Sequence, residues 1–457
     1  MNMAQEPHIT KKLNLLDSTT IIVGSMIGSG IFLVSADIAK QVQTPGMLLL
    51  AWVVTGIITM LAALSYGELA AAMPKAGGQY VYIREAFGRL PGFLYGWTLF
   101  SVIQTGTIAA VGIAFAKFTG VFFPSIAETN IVADFGLFAI NTQQILAVAV
   151  IIFLSVYNYR EVKSGAFIQN IFTITKVGAL MFLVIIGIWY GFTSEGSSQH
   201  FSPAFPSVID LTTIGIFGAA MTGSLFSADA WNNITFTAGE VENPKRNLPL
   251  SLLLGTGTVI LLYFLANVAY ISVLGMDKIA NAENRRVATS MMEIILGAKG
   301  KYFMAAMIMI STFGCLNGII FTAARVYYAM AKDGMFLKSA AKLNKNNVPA
   351  NSITMQCIWS VLLCFTGTYG KLLEYIMFAV MLFYLITISG LFVLRVKKPE
   401  MERPYKAFGY PVIPALYLLL AAWVSYTMLI NQTMSCIYGL VIILIGLPVY
   451  LTLKRRR

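Results

Sequence analysis

Apolar runs of about 20 residues, the length a helix needs to cross a bilayer, recur along the whole of this chain. They are bounded at 15–39, 45–73, 92–117, 142–158, 165–191, 212–239, 250–274, 302–331, 352–368, 373–394, 411–430 and 434–453. In hydrocarbon every backbone N–H and C=O must find a partner inside the protein, so helices or closed barrels are the available solutions. Barrel strands alternate apolar and polar residues over segments of about ten, and these runs do not. The chain has 457 residues, 57% hydrophobic and 11% charged, where soluble domains carry about a quarter charged residues. An all-α polytopic membrane protein with twelve transmembrane helices is therefore expected, as one membrane domain over residues 1–457. The longest hydrophilic stretch, 275–301, is too short for a soluble domain. The first 14 residues are polar and no small-residue cleavage site follows, so the first helix is expected to act as an uncleaved insertion signal.

The net charge of +12 could suggest nucleic acid, but its distribution argues otherwise. With the amino terminus placed inside, the inner loops and tails receive Lys11 and Lys12, Lys75, Arg84 and Arg89, Arg160 and Lys163, and Lys245 and Arg246. They also receive the lysines of 332–345, the basic residues of 395–406, and Lys454 with Arg455–Arg457. The opposite loops 118–141, 192–211 and 431–433 hold no Lys or Arg. This positive-inside bias places both termini in the cytoplasm of a cell-membrane protein. One stretch disagrees. Residues 275–301 carry Lys278, Arg285, Arg286, Lys299 and Lys301 on the expected outer side, and amphipathic helices are expected there. Cys315, Cys357, Cys364 and Cys436 fall inside apolar runs, as buried packing residues with no disulfide framework.

The first run contains GSMIGSGIF at 24–32, and the sixth contains GSLFSADAW at 223–231. Glycine costs about 1 kcal/mol relative to alanine in a helix interior, so both runs are expected to break near mid-membrane. The breaks lie five helices apart, and an odd spacing gives two halves of opposite orientation. Interrupted segments at matching positions of inverted halves point to a transporter binding site. Gly24 and Gly28 also form a GxxxG pair, which elsewhere serves only helix packing. The matching break, with a carboxylate inside it, favours the binding reading. No strand precedes these glycines and no Gly-Lys-Ser/Thr follows, so a phosphate loop is not indicated.

Lys176 lies about 11 residues from the inner end of the fifth run, roughly 16 Å deep at 1.5 Å per residue. An ammonium there costs about 2.5–3.5 kcal/mol, so it needs carbonyls, a carboxylate or a wet cavity. Asp229 is the carboxylate nearest the middle of a run. The two invite pairing, though other partners are open to each. Glu68, Asp37 and Glu374 sit near run ends, and Arg325, about eight residues from the inner end of its helix, is expected to snorkel or to pair there. The half-helix after the break at Gly28–Gly30 presents N–H groups and a positive dipole end, which suit a carboxylate. Carbonyls near Met26 and Phe226–Asp229 suit an ammonium. Two such poles about 5 Å apart fit an α-amino acid.

VGSMIGSGIF at 23–32, SYGELAAAMPKAGGQYVYIREAFG at 65–88, AWNNITFTAGEVENPKRNLP at 230–249 and KKPEMERPYKAFGYPVIP at 397–414 resemble the L-type amino acid transporter family. That family is part of the amino acid–polyamine–organocation (APC) superfamily, and the resemblance runs from about residue 12 to 453. It implies the leucine-transporter fold with a 5+5 inverted repeat (about 15–191 and 212–394), helices 1 and 6 broken, and extra helices 411–430 and 434–453. It also implies alternating-access exchange of amino acids. By position, amides around Ser29 and Gly30, in the segment with Gly28, would hold the substrate carboxylate. Carbonyls of Met26, Phe226 and Asp229, in the segment with Ser227 and Ala228, would hold its amino group. Phe226 matches the aromatic gate. Lys176 matches a lysine standing where sodium-coupled relatives hold sodium, which implies sodium independence. Animal members bind a glycoprotein through an outer-loop cysteine. Loop 118–141 has none, so a microbial member without that disulfide-linked heavy-chain partner is expected.

The function expected is sodium-independent exchange of neutral L-amino acids. Position 229 is small in many neutral carriers of the family and aspartate in a branch accepting cationic amino acids and cystine, so a cationic or mixed exchanger is an alternative. A proton-coupled importer using Lys176 or Asp229 is another. An enzyme is not expected: His8 and His200 lie outside the runs, and neither HExxH nor a G-x-S-x-G motif in a suitable context occurs. Nothing in the sequence calls for a cofactor or a metal.

Overall fold

The computed structural model describes residues 13–134, 139–159, 162–194, 197–366 and 369–455. Lys11, Lys12, Arg160, Arg456, Arg457 and the last two residues of the expected ninth run lie outside them.

Asn14 starts the first helix. Its side chain accepts from the Asp17 amide at 2.9 Å, and the Asp17 carboxylate accepts from the Asn14 amide at 3.1 Å. This capping box satisfies two otherwise orphaned donors and begins α1 (Leu15–Met26). The chain then leaves the helix over residues 27–29 and re-enters it as α2 (Gly30–Val42), bent by 42°. Pro45 occupies the first turn of α3 (Pro45–Ala72), where its missing N–H costs nothing. A short helix, α4 (Gln79–Phe87), precedes α5 (Arg89–Thr119). Within α5 one π-turn spans Leu99–Ile103, and the Thr105 hydroxyl donates to Phe100 O at 2.6 Å, caring for a carbonyl that the wider turn displaces. A two-stranded hairpin, β1 (Ile131–Asp134) and β2 (Ala139–Asn141), pairs Asp134 with Ala139 and Ile131 with Asn141 around a bulge.

The remaining helices are α6 (Thr142–Tyr157), α7 (Val162–Thr193), α8 (Leu211–Ser227), α9 (Asn233–Phe236), α10 (Pro244–Ala280), α11 (Val287–Lys332), α12 (Ala350–Cys364), α13 (Tyr369–Lys397), α14 (Val412–Asn431) and α15 (Thr433–Arg455). Among the described residues, eight helices are long and apolar enough to cross a membrane, or nine if the bent α1–α2 pair is one span. Three shorter apolar helices, α6, α8 and α12, fall on the expected fourth, sixth and ninth runs. The apolar residues Ile174, Ile185, Trp189, Leu419 and Leu444 are exposed, as a surface bathed in lipid requires. The protein is a polytopic helical membrane protein.

The basic stretch 275–301 is largely helical, as expected. A kink at Gly275 (φ +68°) turns residues 276–280, and a second at Gly297 (φ +65°) sets 287–296 at an angle to the rest of α11. Val287, Ala288, Met291 and Met292 of that segment are buried while Glu293 and Ile294 are exposed, an amphipathic pattern.

The two ends of the bundle differ in how they are tied. At the end carrying Leu13, Leu13 pairs with Glu240 and Glu242 through backbone bonds of 3.0 and 2.8 Å. Nearby, Arg325 Nε donates to Glu240 Oε1 at 2.7 Å with both side chains buried. Glu68 receives Arg395 at 2.6 Å, Arg403 at 3.3 Å and the Ala407 amide at 2.7 Å. Arg84 pairs with Asp333, and the Lys398 ammonium, 2.6 Å from Glu85, holds that carboxyl below its ordinary range. The other end carries Asp37, Arg285 and Glu374 around a cavity of about 430 Å³.

Candidate functional site

The break after α1 exposes carbonyls that a continuous helix would have used, and neighbouring helices supply the missing donors. The Lys176 ammonium, buried in α7, reaches Gly24 O at 2.7 Å and Ile27 O at 3.1 Å. Ser311 of α11 also donates to Ile27 O at 3.1 Å, and Cys315 Sγ to Ser25 O at 3.1 Å. Tyr263 of α10 donates to Met26 O at 2.8 Å, beside a 2.8 Å bond from the Gly28 amide. Both lone pairs of the Met26 carbonyl are thus engaged, and a ligand ammonium at Met26 has to compete with them. Cys315, expected as a packing residue, is buried and also donates; Cys364 and Cys436 are buried, Cys357 is partly so, and all four are free thiols.

The second break follows α8. Ala228–Asn232 leave the helix, and Ala230 adopts a left-handed conformation (φ +68°). This backbone carries Asp229, whose carboxylate accepts a 2.5 Å bond from the Tyr384 hydroxyl of α13. The pairing of Lys176 with Asp229 that the sequence left open does not occur. Lys176 belongs to the first break and Asp229 to the second, each with its own donors or acceptors. Beneath Asp229, Trp231 packs edge-on against Tyr66 with centroids 4.7 Å apart, and Tyr384 lies 5.4 Å from Trp231.

The two breaks touch. A Cβ placed on Gly30 would lie 2.7 Å from Ser227 Cβ and 2.9 Å from Ser227 Cα, closer than real side chains approach, so only glycine permits this apposition. α2 starts at Gly30 with no side-chain cap from Ser29. Met26, Gly28, Ser29, Gly30, Phe226, Ser227 and Ala228 are all buried, with Phe226 on the last turn of α8. The sequence placed the first break at Gly28–Gly30, and the chain departs from the helix one residue earlier, with Gly30 already helical.

Two cavities of about 10 Å³ each adjoin Asp229, room for about one water apiece. One is lined by Tyr95, Gln104, Asn233 and Tyr384, and the buried Asn233 Nδ2 there has no hydrogen-bond partner. A free amino acid fits neither cavity as it stands.

Sequence reasoning missed Tyr384, Tyr263 and Ser311. A tyrosine hydroxyl buried in a membrane helix needs a partner, so the type of interaction was legible, but not the carbonyl or carboxylate it meets. It also missed Glu240 as the partner of Arg325; the expected end-of-helix pairing of that arginine is present.

Two interrupted helices meeting inside a helical bundle are the arrangement from which membrane transport proteins build solute sites. The chain belongs to the amino acid permease family, whose model matches residues 13–450. It is 30% identical over 453 residues to the human (Homo sapiens) b(0,+)-type amino acid transporter 1, covering 98% of this chain and 89% of that one. It is 31% identical over 443 residues to the Mus musculus large neutral amino acids transporter small subunit 2, covering 97% and 81%. The serine/threonine exchanger SteT of Bacillus subtilis (strain 168) is 29% identical over 453 residues, covering 98% of both chains.

Proposed function

We propose that the chain is a sodium-independent amino acid exchanger working by alternating access. The observation that carries this reading is the contact of Gly30 with Ser227, which joins the two breaks into one site within an amino acid permease. The relatives named as amino acid transporters and as a serine/threonine exchanger support the solute class and the exchange. The substrate carboxylate binds the amides around Ser29 and Gly30, in the segment with Gly28, whose own amide donates to Met26 O. Its ammonium binds the segment Phe226–Asp229 with Met26, and Phe226 closes over it. The Lys176 ammonium, held by Gly24 and Ile27, occupies the place where a coupling cation would tie α1 to α7, which supports sodium independence. The protein works as a transporter and not as an enzyme, without cofactor or metal.

In this reading α6, α8 and α12 span the bilayer too, making twelve spans in the leucine-transporter fold. Residues 15–191 and 212–394 form the inverted repeats, followed by helices 411–430 and 434–453, all in one domain. The Leu13 end faces the cytoplasm with both termini, and the Asp37 end faces outward from the cell membrane. The chain works in the lipid bilayer without nucleic acid or a disulfide-linked heavy chain.

Neutral amino acids are the first substrate reading. The cationic or mixed reading gains from one observation: Lys176 does not neutralise Asp229, whose partner is the uncharged Tyr384 hydroxyl. Counterflow in proteoliposomes separates them. Internal alanine, serine, leucine, arginine or ornithine would drive uptake of labelled alanine or arginine, with sodium or choline outside. Alanine uptake indifferent to sodium supports the neutral exchanger. Arginine uptake as fast or faster makes Asp229 a specificity residue. Uptake that follows an imposed proton gradient without internal amino acid supports the proton-coupled importer, and no counterflow of any of them overturns the exchange reading.

A further inference from the structure

The cavity at the Asp37 end is much larger than those beside Asp229. At about 430 Å³ it falls in the size range of small-molecule sites, about 300–1,000 Å³. Its lining carries both signs of charge: Asp37 and Lys40 from α2, Arg285 from the loop before α11, and Glu374 from α13. Its floor is small or uncharged, with Ala220, Thr222 and Gly223 from α8. Gly223 precedes Phe226 by one helical turn, so the cavity ends just above the gate of the central site.

Arg285 is placed there at a conformational cost. Asn284 and Arg285 are consecutive non-glycine residues with positive φ, +51° and +63°, conformations costing about 1–3 kcal/mol each. The loop so formed sets the Arg285 fork against Asp37, with Nε 3.2 Å from Oδ1 and Nη1 3.2 Å from Oδ2. Of the five guanidinium N–H donors, one on Nη1 is used in a hydrogen bond. Glu374 is anchored by a 2.6 Å bond from the Ser435 hydroxyl, and Gln432 lies 3.3 Å from the Thr222 hydroxyl. Lys117 adds a further positive charge within electrostatic reach of Asp37. Fixed charges of both signs around a space of this size suit a solute that itself carries both. They also give a role to Arg285, one of the basic residues of 275–301 that run against the charge bias of the other loops. Lys301 of that stretch is balanced locally by Glu283 and Glu293 at 3.4 Å, whereas Arg285 reaches across to α2.

We propose that this vestibule is a receiving site for a free α-amino acid, distinct from the central site, with Arg285 and Lys40 taking its carboxylate and Glu374 taking its ammonium. The proposal rests on the reading of the chain as an amino acid exchanger with the Asp37 end outward. Solute captured here is concentrated one turn above Phe226 before the half-helices part.

The test compares the two faces of the protein. Glu374→Gln and, separately, Arg285→Gln are reconstituted into proteoliposomes of defined orientation, and alanine and arginine exchange is followed from each side. The expected result is a five- to tenfold rise in apparent KM at the Asp37 face, about 1–1.4 kcal/mol, with KM at the other face within twofold. Equal changes at both faces mean a shift in the conformational equilibrium and overturn the proposal, as does an unchanged KM for both variants. Equilibrium binding of labelled alanine and arginine to the purified chain reads the vestibule even if no exchange occurs. Binding that survives Asp229→Asn and is lost in Glu374→Gln upholds it; the reverse overturns it.

Discussion

The Lys176 ammonium lies 2.7 Å from the Gly24 carbonyl oxygen, so a charge on α7 replaces the helical hydrogen bond that the break in α1 removes. The same ammonium reaches Ile27 O at 3.1 Å, on the far side of Ser25 and Met26. One side chain therefore bridges the end of the half-helix and the first residue of the break. Its charge is met by carbonyl dipoles, in keeping with the cost of an unpaired ammonium in low dielectric.

Lys176→Ala removes that bridge and strips the Gly24 carbonyl of its donor, at about 1–3 kcal/mol for a buried group left unsatisfied, while Ile27 O keeps the Ser311 hydroxyl. Amino acid exchange is expected to fall by at least about tenfold, while the protein still inserts and elutes as a single species. Counterflow beside size-exclusion chromatography checks this, and normal exchange by the folded variant would remove Lys176 from the transport cycle.

Gly30→Ala puts a methyl group 2.9 Å from the Ser227 Cα atom, a backbone neighbour that cannot rotate away. The two breaks must then separate, and the conformation in which they touch is lost. Exchange is expected to drop by more than about tenfold, with a smaller loss in Ser227→Gly/Gly30→Ala, where the Ser227 side-chain atoms are also removed. Initial exchange rates of the single and double variants decide it. Equal loss in both would mean that contact with the Ser227 side chain is not what limits α2.

Tyr384→Phe deletes the hydroxyl 2.5 Å from Asp229, a hydrogen bond to a charged group worth about 1.5–3 kcal/mol. Without it the carboxylate looks to the solute for a partner. The ratio of kcat/KM for arginine over alanine is expected to rise several-fold, and competition between the two labelled substrates measures it. An unchanged ratio would make Asp229 a purely structural partner of α13.

Arg325→Met leaves Glu240 buried without its cation, and breaking a buried pair costs about 3–5 kcal/mol. A marked fall in thermal stability is expected, with most of it regained in Arg325→Met/Glu240→Gln, because the lone charge is then gone. Thermal unfolding in detergent, read as a double-mutant cycle, gives the coupling. A double variant no more stable than the single one would show that the pair is not what holds the Leu13 end together.

The legible part of the molecule is the part written in local chemistry. The apolar runs 45–73, 250–274 and 411–430 were recognisable because a bilayer demands length and apolarity from each helix separately, and α3, α10 and α14 match them to within a residue or cover them. The breaks were recognisable because Gly and Ser crowded into an apolar run weaken a helix wherever it lies. The helix α4 and the hairpin of β1 and β2 were not, since neither carries a long periodic signal.

By itself, then, the sequence determined a many-helix membrane protein, its two interrupted helices and the membrane-depth charges Lys176 and Asp229, with Arg325 nearer a helix end. Only the tertiary structure decided what those ions meet. Lys176 found Gly24 and Ile27, Asp229 found Tyr384, Arg325 found Glu240, and Asp37 found Arg285. The physical reason is that burial fixes the need for a partner at each residue, a local property. Which partner answers depends on how helices more than 80 residues apart in sequence come together in space.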